Sequence, residues 1–276
     1  MSADADLLAQ RALWAGQHAL AILLGLLALL LAATCIGWWA LRRSAVPERS
    51  PALAPRSGLR PRIAVGLTLM LLGAGVFAAL ATQLGAENRL LRFDQAFTDA
   101  LRASAVPPVL QVFAVLTHLG DTATLTGLCL VVALALVIGA RRGLALGWVL
   151  TVAGNGLLNQ TLKQIFSRVR PLDPGGVVLE PGFSFPSGHS SGALVAYGML
   201  AYLALRVLPP RWHLPTLVAA LTLALVVGAS RLFLRVHFAS DVIAGFASGT
   251  AWLALCITVL EILRWRHPLA AARTSG

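Results

Sequence analysis

Long runs of apolar residues alternate with short polar segments along almost the entire chain. A helix that crosses a membrane needs about 20 consecutive, mostly apolar residues, and seven runs reach or approach that length. They lie at residues 18–41, 63–83, 121–140, 144–163, 188–208, 214–231 and 239–263. The pattern therefore predicts an all-α fold, a polytopic transmembrane helical bundle of about six or seven spans.

The polar segments between the runs predict how the chain is divided. Residues 42–62 carry six Arg and four Pro, a composition typical of a cytoplasmic linker. We therefore expect an N-terminal transmembrane helix with its basic, proline-rich linker at 1–62 and a helical domain at 63–276. Segment 84–106 is polar enough for a loop outside the membrane. Segment 107–119 is too short to cross alone, so it is expected to lie in the interface or to lengthen the following helix.

Composition supports a membrane protein. Of the 276 residues, 58% are hydrophobic and 12% are charged, with a mean hydropathy of +0.79, whereas a soluble domain is about half apolar and about a quarter charged. The net charge of +11 does not indicate a nucleic-acid partner, because the basic residues gather between apolar runs without interleaved aromatics. The three cysteines are isolated within apolar runs and predict neither a disulfide framework nor a metal site. The first run lacks an early basic region, so we expect a retained helix rather than a cleaved signal.

Three short polar clusters interrupt this pattern, each at the edge of a predicted helix. They extend from Lys163 to Pro171, from Pro186 to His189 and from Ser230 to Asp241. Written out, the clusters read Lys163-x6-Arg170-Pro171, Pro186-Ser187-Gly188-His189 and Ser230-Arg231-x5-His237-x3-Asp241. Together they supply cations, two imidazoles, a carboxylate and a Ser-Gly turn, which is the chemistry needed to hold a phosphate and break its ester bond.

The distribution of Lys and Arg predicts the orientation of the helices. If the linker at 42–62 is cytoplasmic, 13 of the 22 basic residues fall on the inner side and 9 on the outer side. Five of those nine belong to the three clusters, so the background is 13 against 4. The N terminus is then outside and the C terminus inside, with all three clusters at the outer membrane–water interface. We expect a multi-pass protein of the inner (cytoplasmic) membrane whose active site faces the periplasm or exterior.

The third cluster contains two residues suited to nucleophilic catalysis. His237 and Asp241 are four positions apart and share one face of a helix. A carboxylate that accepts a hydrogen bond from one ring nitrogen fixes the tautomer and leaves the other nitrogen as a nucleophile. The ordinary alternative is a pair that only satisfies its own hydrogen bonds at the start of a helix.

The other two clusters are suited to binding an anion. Ser187 and Gly188 precede a predicted helix, whose N-terminal amides favour an anion, and His189 is placed to protonate a leaving alkoxide. An N-cap serine, an interfacial histidine and basic side chains that snorkel to the interface explain each cluster taken alone. Their joint occurrence favours one site, in which three cations neutralise phosphate without a metal. These cations are Lys163, Arg170 and Arg231.

The spacings resemble the type 2 phosphatidic acid phosphatase superfamily of integral-membrane lipid phosphatases. All defining positions of the three motifs of that family are matched. The resemblance covers about residues 90–260 and includes Phe93-Asp94 and the segment 117–121, which look like the region upstream of the motifs in bacterial members. It implies that the domain at 63–276 is phosphatase-like.

The resemblance also implies a role for each motif residue. By analogy, His237 attacks phosphorus to form a phosphohistidine, Asp241 orients it, and His189 protonates the leaving group and then helps to activate water. The family needs no metal, and we expect no metal or other cofactor here. Phosphate binding is assigned by the resemblance to Lys163, Arg170, Ser187, Gly188 and Arg231.

Several other polar residues near the motifs receive structural interpretations. Arg168 and Arg235 occupy variable positions within the motifs and are interpreted as bystanders. His118 and Asp121 are expected to cap a helix or to line the entrance, with capping favoured. Hydrogen bonds between helices are expected of Asn155 and Asn159.

The predicted function is a metal-independent phosphatase or diphosphatase acting on a lipid whose tail stays in the bilayer. Undecaprenyl diphosphate is favoured by resemblance to bacterial members, with phosphatidate or phosphatidylglycerophosphate next. A lipid phosphotransferase that uses the same intermediate is an alternative. A transporter is a third hypothesis, but it predicts ionisable residues in the middle of helices, whereas here they crowd at helix ends. The expected partners are the lipid substrate and the bilayer, with no nucleic acid; the oligomeric state stays open.

Overall fold

The computed structural model of the protein describes residues 3–44, 59–85, 89–171 and 180–274. All regular elements in these ranges are helical, which confirms the predicted all-α fold. The α-helices are α1 (Ala3–Gln17), α2 (Ala19–Ser44), α3 (Leu59–Ala81), α4 (Arg89–Ser104), α5 (Pro107–Leu116), α6 (Thr122–Ile138), α7 (Arg142–Phe166), α8 (Gly188–Val207), α9 (His213–Phe233) and α10 (Ala239–Thr274). Two short 3-10 turns occupy Thr117–Gly120 and Pro210–Trp212.

Five of these helices are long and apolar enough to cross a membrane, namely α2, α3, α8, α9 and α10. The count rises to six if α4 and the segment formed by α5 with its following turn, which are bent by 116°, make one broken span. The predicted runs at 121–140 and 144–163 form α6 and α7, which lie outside this count; α6 has only 17 residues. The protein is therefore a multi-pass membrane protein, while the predicted spans at α6 and α7 stay predictions.

One end of the bundle gathers around a single carboxylate. Glu261 in α10 accepts hydrogen bonds from Arg62 at the start of α3 (3.1 Å) and from Arg206 at the end of α8. Arg42 at the end of α2 donates to the Pro210 carbonyl, directly after α8 (3.2 Å). We call this part of the molecule the distal end.

The opposite end gathers the starts of α6, α8 and α10. Asp121, before α6, lies 2.9 Å from the Nε2 atom of His189 in α8. The Ser187 amide, before α8, donates to the Asp241 carbonyl in α10 at 3.0 Å. Since α7 leads into α8 and α9 leads into α10, the helices from α6 to α10 run in alternating directions. All three polar clusters lie at this end, which we call the site end.

Segment 84–106, predicted to be an outer loop, is largely the helix α4. Its apolar residues Phe97, Ala100 and Leu101 are buried. The helix packs closely against α1, because a Cβ atom added to Gly16 would lie 2.6 Å from the Ala100 Cβ atom. The loop prediction was wrong because the average polarity of the segment conceals an amphipathic helix with one apolar face.

The helices that carry the site rest on a packed core between α6, α7, α8 and α9. Trp148, Ala196 and Val227 are fully buried in it. The indole N–H of Trp148 donates to the Cys129 carbonyl at 2.9 Å, so the ring is fixed between α7 and α6. This rigid support holds the ends of α7 and α9 against the start of α8.

Most of the predicted linker lies outside the described residues. Its last residues belong to α3, which begins at Leu59, so the predicted domain boundary after residue 62 falls in the first turn of that helix. α3 packs tightly along α10, where a Cβ atom on Gly73 would lie 2.6 Å from the Ala247 carbonyl oxygen. The division into two domains stays a prediction.

Candidate active site

The structure brings the three polar clusters together at the site end. Lys163 and Arg231 lie in the last turns of α7 and α9, and His189 lies in the first turn of α8. Arg170 follows α7, and His237 lies between α9 and α10. The three cations and His189 are close enough to His237 to act on it electrostatically. Residues more than 70 positions apart in the chain (163 and 237) thus meet in one site.

The tautomer of His237 follows from its contact with Arg170. The guanidinium Nη1 atom donates to the Nε2 atom of the imidazole at 3.1 Å. Because a guanidinium has no acceptor, Nε2 carries the lone pair and the ring proton is on Nδ1. The nitrogen with the lone pair therefore faces the cations.

The other ring nitrogen of His237 faces Asp241. Its Nδ1 atom lies 3.5 Å from the Asp241 Oδ2 atom and has no closer hydrogen-bond partner among the described residues. Burial and the charges of Arg170 and Arg231 hold the pKa of His237 well below its ordinary value. The imidazole is therefore neutral at neutral pH, as a nucleophile must be.

Two arginines form a cationic wall beside this imidazole. Arg231 is fully buried and donates to the Thr117 hydroxyl (2.6 Å) and to the Glu180 carboxylate (2.6 Å). Arg170 is anchored by the Val236 carbonyl, to which its Nη1 atom donates at 2.8 Å. These contacts fix the planes of both guanidinium groups, so the wall is preorganised.

Glu180 was not singled out from the sequence, although it contacts both arginines. Its carboxylate lies 2.6 Å from Arg231 and 3.8 Å from Arg170. Burial alone would raise the pKa of Glu180, but the charge and hydrogen bond of Arg231 outweigh burial and hold the pKa below its usual value. The wall thus holds an oxyanion, which shows that its geometry suits one.

Lys163 lies at the edge of this wall. Its Nζ atom donates to the Phe183 carbonyl at 2.8 Å. Arg170, Arg231 and Glu180 are close enough to act on it electrostatically. The third predicted cation therefore belongs to the same charged cluster.

The start of α8 is packed tightly between its neighbours. The Ser187 hydroxyl accepts the Ser190 amide (3.4 Å) as an N-cap, and Ser187 is fully buried. A Cβ atom on Gly188 would lie 2.9 Å from the Asn159 Oδ1 atom in α7, and one on Gly245 would lie 2.5 Å from the Ser187 carbonyl oxygen. Two glycines thus let α8 approach both α7 and α10. Ser187 and Gly188 shape the helix start, and their contact with phosphate stays a prediction.

His189 is paired with a carboxylate that the sequence interpretation assigned to a cap. Asp121 lies at the N-cap position of α6, but its side chain makes no capping hydrogen bond. Its Oδ1 atom lies 2.9 Å from His189 Nε2, and its Oδ2 atom lies 2.6 Å from His118 Nδ1. These two histidines outweigh the effect of burial, which alone would raise the pKa of Asp121, and hold it below its usual value. The capping interpretation of Asp121 was wrong.

Arg168 was interpreted as a bystander, but the structure places it in contact with a motif carboxylate. Its Nη1 atom donates to Asp241 Oδ1 and to Ser240 Oγ, both at 2.7 Å. Its Nη2 atom donates to the fully buried carboxylate of Asp94 in α4 at 2.8 Å. The one sequence signal was Asp94 itself, an acidic residue in the upstream part of the family resemblance.

The other polar residues near the motifs are buried between or within helices. Arg235 is buried in the α9–α10 connection with φ of +56°. Asn159 donates to the Ser191 hydroxyl at 3.3 Å, which confirms the predicted hydrogen bond between α7 and α8. Asn155 is buried within α7. Across the ranges that the structure describes, no group of three or more His, Cys, Asp or Glu side chains is arranged to hold a metal ion.

Comparisons with known proteins match this site and fold. The family model of the PAP2 superfamily matches residues 143–265, which contain all three motifs. Phosphatidylglycerophosphatase B of Bacillus subtilis (strain 168) is 34% identical over 164 residues, covering 59% of this chain and 80% of that protein. A lipid A 1-phosphatase of Rhizobium johnstonii is 37% identical over 121 residues, and the matched region spans only 45% of that relative.

A solved structure shows the same architecture. The crystal structure of a transmembrane PAP2-type phosphatidylglycerolphosphate phosphatase from Bacillus subtilis superimposes with a TM-score of 0.62 and 31% identity, covering 70% of this chain and 94% of that one. Fold, site and relatives together define an integral-membrane lipid phosphatase, a hydrolase of phosphoric esters. The chain belongs to the PAP2 superfamily, so the resemblance seen in the motifs is confirmed.

Proposed function

We propose that the protein removes phosphate from a lipid phosphate or a polyprenyl diphosphate through a phosphohistidine on His237. The observation that carries this proposal is the orientation of the imidazole. Arg170 donates to its Nε2 atom at 3.1 Å, so the lone pair points at the cationic wall. A phosphate bound to that wall presents its phosphorus to the lone pair.

Binding places the phosphate oxygens among Lys163, Arg170 and Arg231. Phosphoryl transfer depends on positioning and on neutralising charge at the non-bridging oxygens. The Glu180 carboxylate is bound to Arg231, so the phosphate of the substrate takes the place of this carboxylate. The Nη1 group of Arg170 exchanges its hydrogen bond to His237 for one to a phosphate oxygen, which frees the lone pair for attack, while its bond to the Val236 carbonyl keeps the guanidinium in place.

The reaction then has two balanced steps. In the first, His237 Nε2 forms a bond to phosphorus and the bond from phosphorus to the leaving oxygen breaks. That oxygen belongs to the lipid alkoxide of a monophosphate or to the lipid-bearing phosphate of a diphosphate, and the protonated His189 gives it a proton. In the second, His189 takes a proton from water, and the resulting hydroxide attacks the phosphohistidine. Inorganic phosphate leaves and the neutral imidazole of His237 is restored. Asp121, at 2.9 Å, holds His189 through both steps.

The three cations supply the charge that many phosphatases take from metal ions. We therefore propose that catalysis needs no metal. Activity of the purified protein should persist after exhaustive treatment with EDTA. Complete loss that is reversed by an added divalent ion would contradict this part of the proposal.

The lipid substrate is the finer part of the proposal. The motif resemblance favours undecaprenyl diphosphate, whereas the Bacillus subtilis relative is named for phosphatidylglycerophosphate and the Rhizobium relative for lipid A 1-phosphate. These names make phosphatidylglycerophosphate the second candidate, with phosphatidate related to it by the same monoester. In each case, the tail lies in the bilayer and the phosphate reaches the site end.

We also propose that the site end faces the periplasm or exterior of the inner membrane. The distal end is rich in arginine, as expected for the cytoplasmic side. Its arginines are Arg42, Arg43, Arg60, Arg62, Arg141, Arg142, Arg206, Arg211 and Arg264.

A substrate panel with purified protein tests the proposal. Phosphate release is measured from undecaprenyl diphosphate, phosphatidylglycerophosphate, phosphatidate and lipid A, with the wild type, His237→Asn and His213→Asn. His213 lies at the start of α9, toward the distal end, and serves as the matched control. We expect His237→Asn to lose phosphate release on every substrate and His213→Asn to retain it.

Two outcomes would change the proposal. If His237→Asn is folded and keeps most of the wild-type turnover, the covalent mechanism is wrong. If the wild type forms a phosphoenzyme, releases little inorganic phosphate and converts an added acceptor alcohol into its phosphate ester, the protein is a phosphotransferase that uses the same intermediate.

A further inference from the structure

A buried polar network lies behind His237, on the side away from the cationic wall. It joins residues from three distant parts of the chain: Asp94 in α4, Arg168 after α7, and Ser240 with Asp241 in α10. Asp94 and Asp241 are fully buried, and the side chain of Arg168 is only 11% exposed. Burying charged groups is costly unless they are paired and hydrogen-bonded, so this network needs an explanation beyond packing.

We propose that Asp94 and Arg168 are positioning residues for catalysis. Asp94 orients Arg168, and Arg168 holds Asp241 ionised and aimed at His237. Neither residue touches the substrate. The inference rests on the proposed function, because it assumes that His237 is the nucleophile.

The first step is the way in which both oxygens of Asp241 are fixed. Oδ1 accepts from Arg168 Nη1 at 2.7 Å, and Oδ2 accepts the Phe238 amide at 2.9 Å. These two bonds set the plane of the carboxylate, and Oδ2 is left 3.5 Å from His237 Nδ1. Such contacts are often long before substrate binds and tighten as charge develops.

The second step is the way in which Arg168 is itself fixed. Its two terminal nitrogens are shared between Asp241, Ser240 and Asp94. Its guanidinium lies over the Phe238 ring, 4.4 Å from the ring centroid. A guanidinium bound to carboxylates on both sides has a defined plane that an ammonium does not provide. Arg168 is thus committed to protein groups, in contrast to Arg170, which contacts the nucleophile.

The third step concerns charge. The charge and hydrogen bonds of Arg168 favour the ionised forms of two buried carboxylates, Asp94 and Asp241. An ionised Asp241 places a negative charge beside the Nδ1 atom of His237. The imidazole becomes cationic when its Nε2 atom bonds to phosphorus and Nδ1 keeps its proton. A fixed negative charge on the Nδ1 side stabilises that cation, which is a stabilisation specific to the transition state and the intermediate.

A double-mutant cycle tests the proposal. Arg168→Gln leaves two carboxylates side by side without their cation, so that one takes up a proton and Asp241 loses its orientation. We expect kcat to fall by about 100-fold with little change in KM, as when residues that orient catalytic groups are removed. Asp94→Asn alone should lower kcat by about tenfold.

The decisive variant combines Asp94→Asn with Arg168→Gln. Removing the second carboxylate relieves the repulsion on Asp241, so the double variant should recover about tenfold in kcat over Arg168→Gln alone. Arg168→Lys keeps the positive charge but loses the planar pair of donor nitrogens, so its kcat should lie between that of Arg168→Gln and that of the wild type. Arg92→Gln, on the exposed side of α4, is the matched control and should match the wild type.

Three outcomes would overturn the inference: losses that add in the double variant, an Arg168→Gln variant with raised KM and unchanged kcat, or an Asp94→Asn variant with wild-type kcat. Size-exclusion chromatography and thermal unfolding show whether Arg168→Gln is folded. If it is not, the kcat of Asp94→Asn still tests the inference. Failure of the proposed function has a different signature, since His237→Asn would then keep its turnover. If only the inference fails, His237→Asn stays inactive while the cycle shows additive losses.

Discussion

The site contains two histidine–carboxylate pairs whose surroundings differ. His237 and Asp241 are almost completely buried, with side-chain exposures of 1% and 0%, and their atoms are 3.5 Å apart. His189 and Asp121 are more open, with exposures of 15% and 35%, and are 2.9 Å apart. The buried pair lies beside the cationic wall, whereas the open pair also contacts His118, which is largely exposed.

This difference suits two chemical roles. A nucleophile must keep its lone pair at neutral pH, and burial among cations keeps His237 neutral. A general acid and base must exchange protons with substrate and water, so a half-open position with its own carboxylate suits His189. In the proposed mechanism, the same two residue types thus serve different steps because their depth in the protein differs.

The largest test of this comparison is the leaving group. His189→Asn should slow phosphoenzyme formation from a lipid monophosphate by about 10²–10⁴-fold, because the departing alkoxide is no longer protonated. On an aryl phosphate, whose leaving group needs no proton, the rate of the first step, measured as the burst of released phenol, should fall far less. His237→Asn should form no phosphoenzyme from either substrate. Equal losses in the first-step rate of His189→Asn on the two substrates would contradict its assignment as the acid.

The next test concerns the carboxylate of the open pair. Asp121→Asn should lower kcat by about 10–100-fold, because His189 loses the partner that orients it. His118→Asn is the matched control, since it removes only the exposed contact and should stay near wild-type activity. If both variants lose activity equally, Asp121 acts through His118 rather than through His189.

The pH dependence tests the buried pair. Since the pKa of His237 is held well below its ordinary value of about 6.5, the reactive neutral form persists into mildly acidic solution. The midpoint of the acid limb in the pH profile of kcat/KM should therefore lie at a pH well below that value. Arg170→Gln removes a neighbouring positive charge, raises the pKa of His237 and moves the acid limb to higher pH. A wild-type midpoint near the ordinary histidine value would show that the site does not shift this group.

The smallest effect concerns the packing that holds the two pairs together. Gly245→Ala would place a Cβ atom 2.5 Å from the Ser187 carbonyl oxygen, which pushes α8 and His189 away from α10 and Asp241. We expect a loss of about 1–3 kcal/mol in the free energy of unfolding, and reduced kcat. Gly156→Ala, which meets open space in α7, should be neutral or stabilising by up to about 1 kcal/mol. Thermal unfolding in detergent compares the two, and an equally stable Gly245→Ala would contradict the packing argument.

Much of the fold was predictable because a membrane allows few solutions. A spanning segment must be long, apolar and internally hydrogen-bonded, so the run at 188–208 predicts α8 (Gly188–Val207) and the run beginning at 239 predicts the start of α10 (Ala239). The amphipathic helix α4 was missed, since its apolar face is covered by α1 and protein contacts replace the continuous apolar run. The predicted runs at α6 and α7 did form helices, but neither is among the helices that are long and apolar enough to cross a membrane.

In the site, too, local features were predictable from the sequence and contacts between distant residues were not. The spacing of Lys163, Arg170, His189, Arg231 and His237 placed all five at helix ends, and the structure brings them together. The contacts that the sequence interpretation missed join residues far apart in the chain: Arg168 is 74 positions from Asp94, and His189 is 68 from Asp121. Such pairs leave no periodicity in one sequence, because neither partner's position predicts the other.

The sequence by itself thus determined the all-α membrane class and the phosphatase family, and it supplied the residues that we propose carry the chemistry, because apolar length and motif spacing are local properties. Only the tertiary structure decided which carboxylate pairs with His189, which groups Arg168 contacts, and that Glu180 lies on the cationic wall. These are decided by the packing of α4, α6, α8 and α10 at one end of the bundle. A buried charge is tolerated only where folding brings it a partner, so the pairing is a property of the fold.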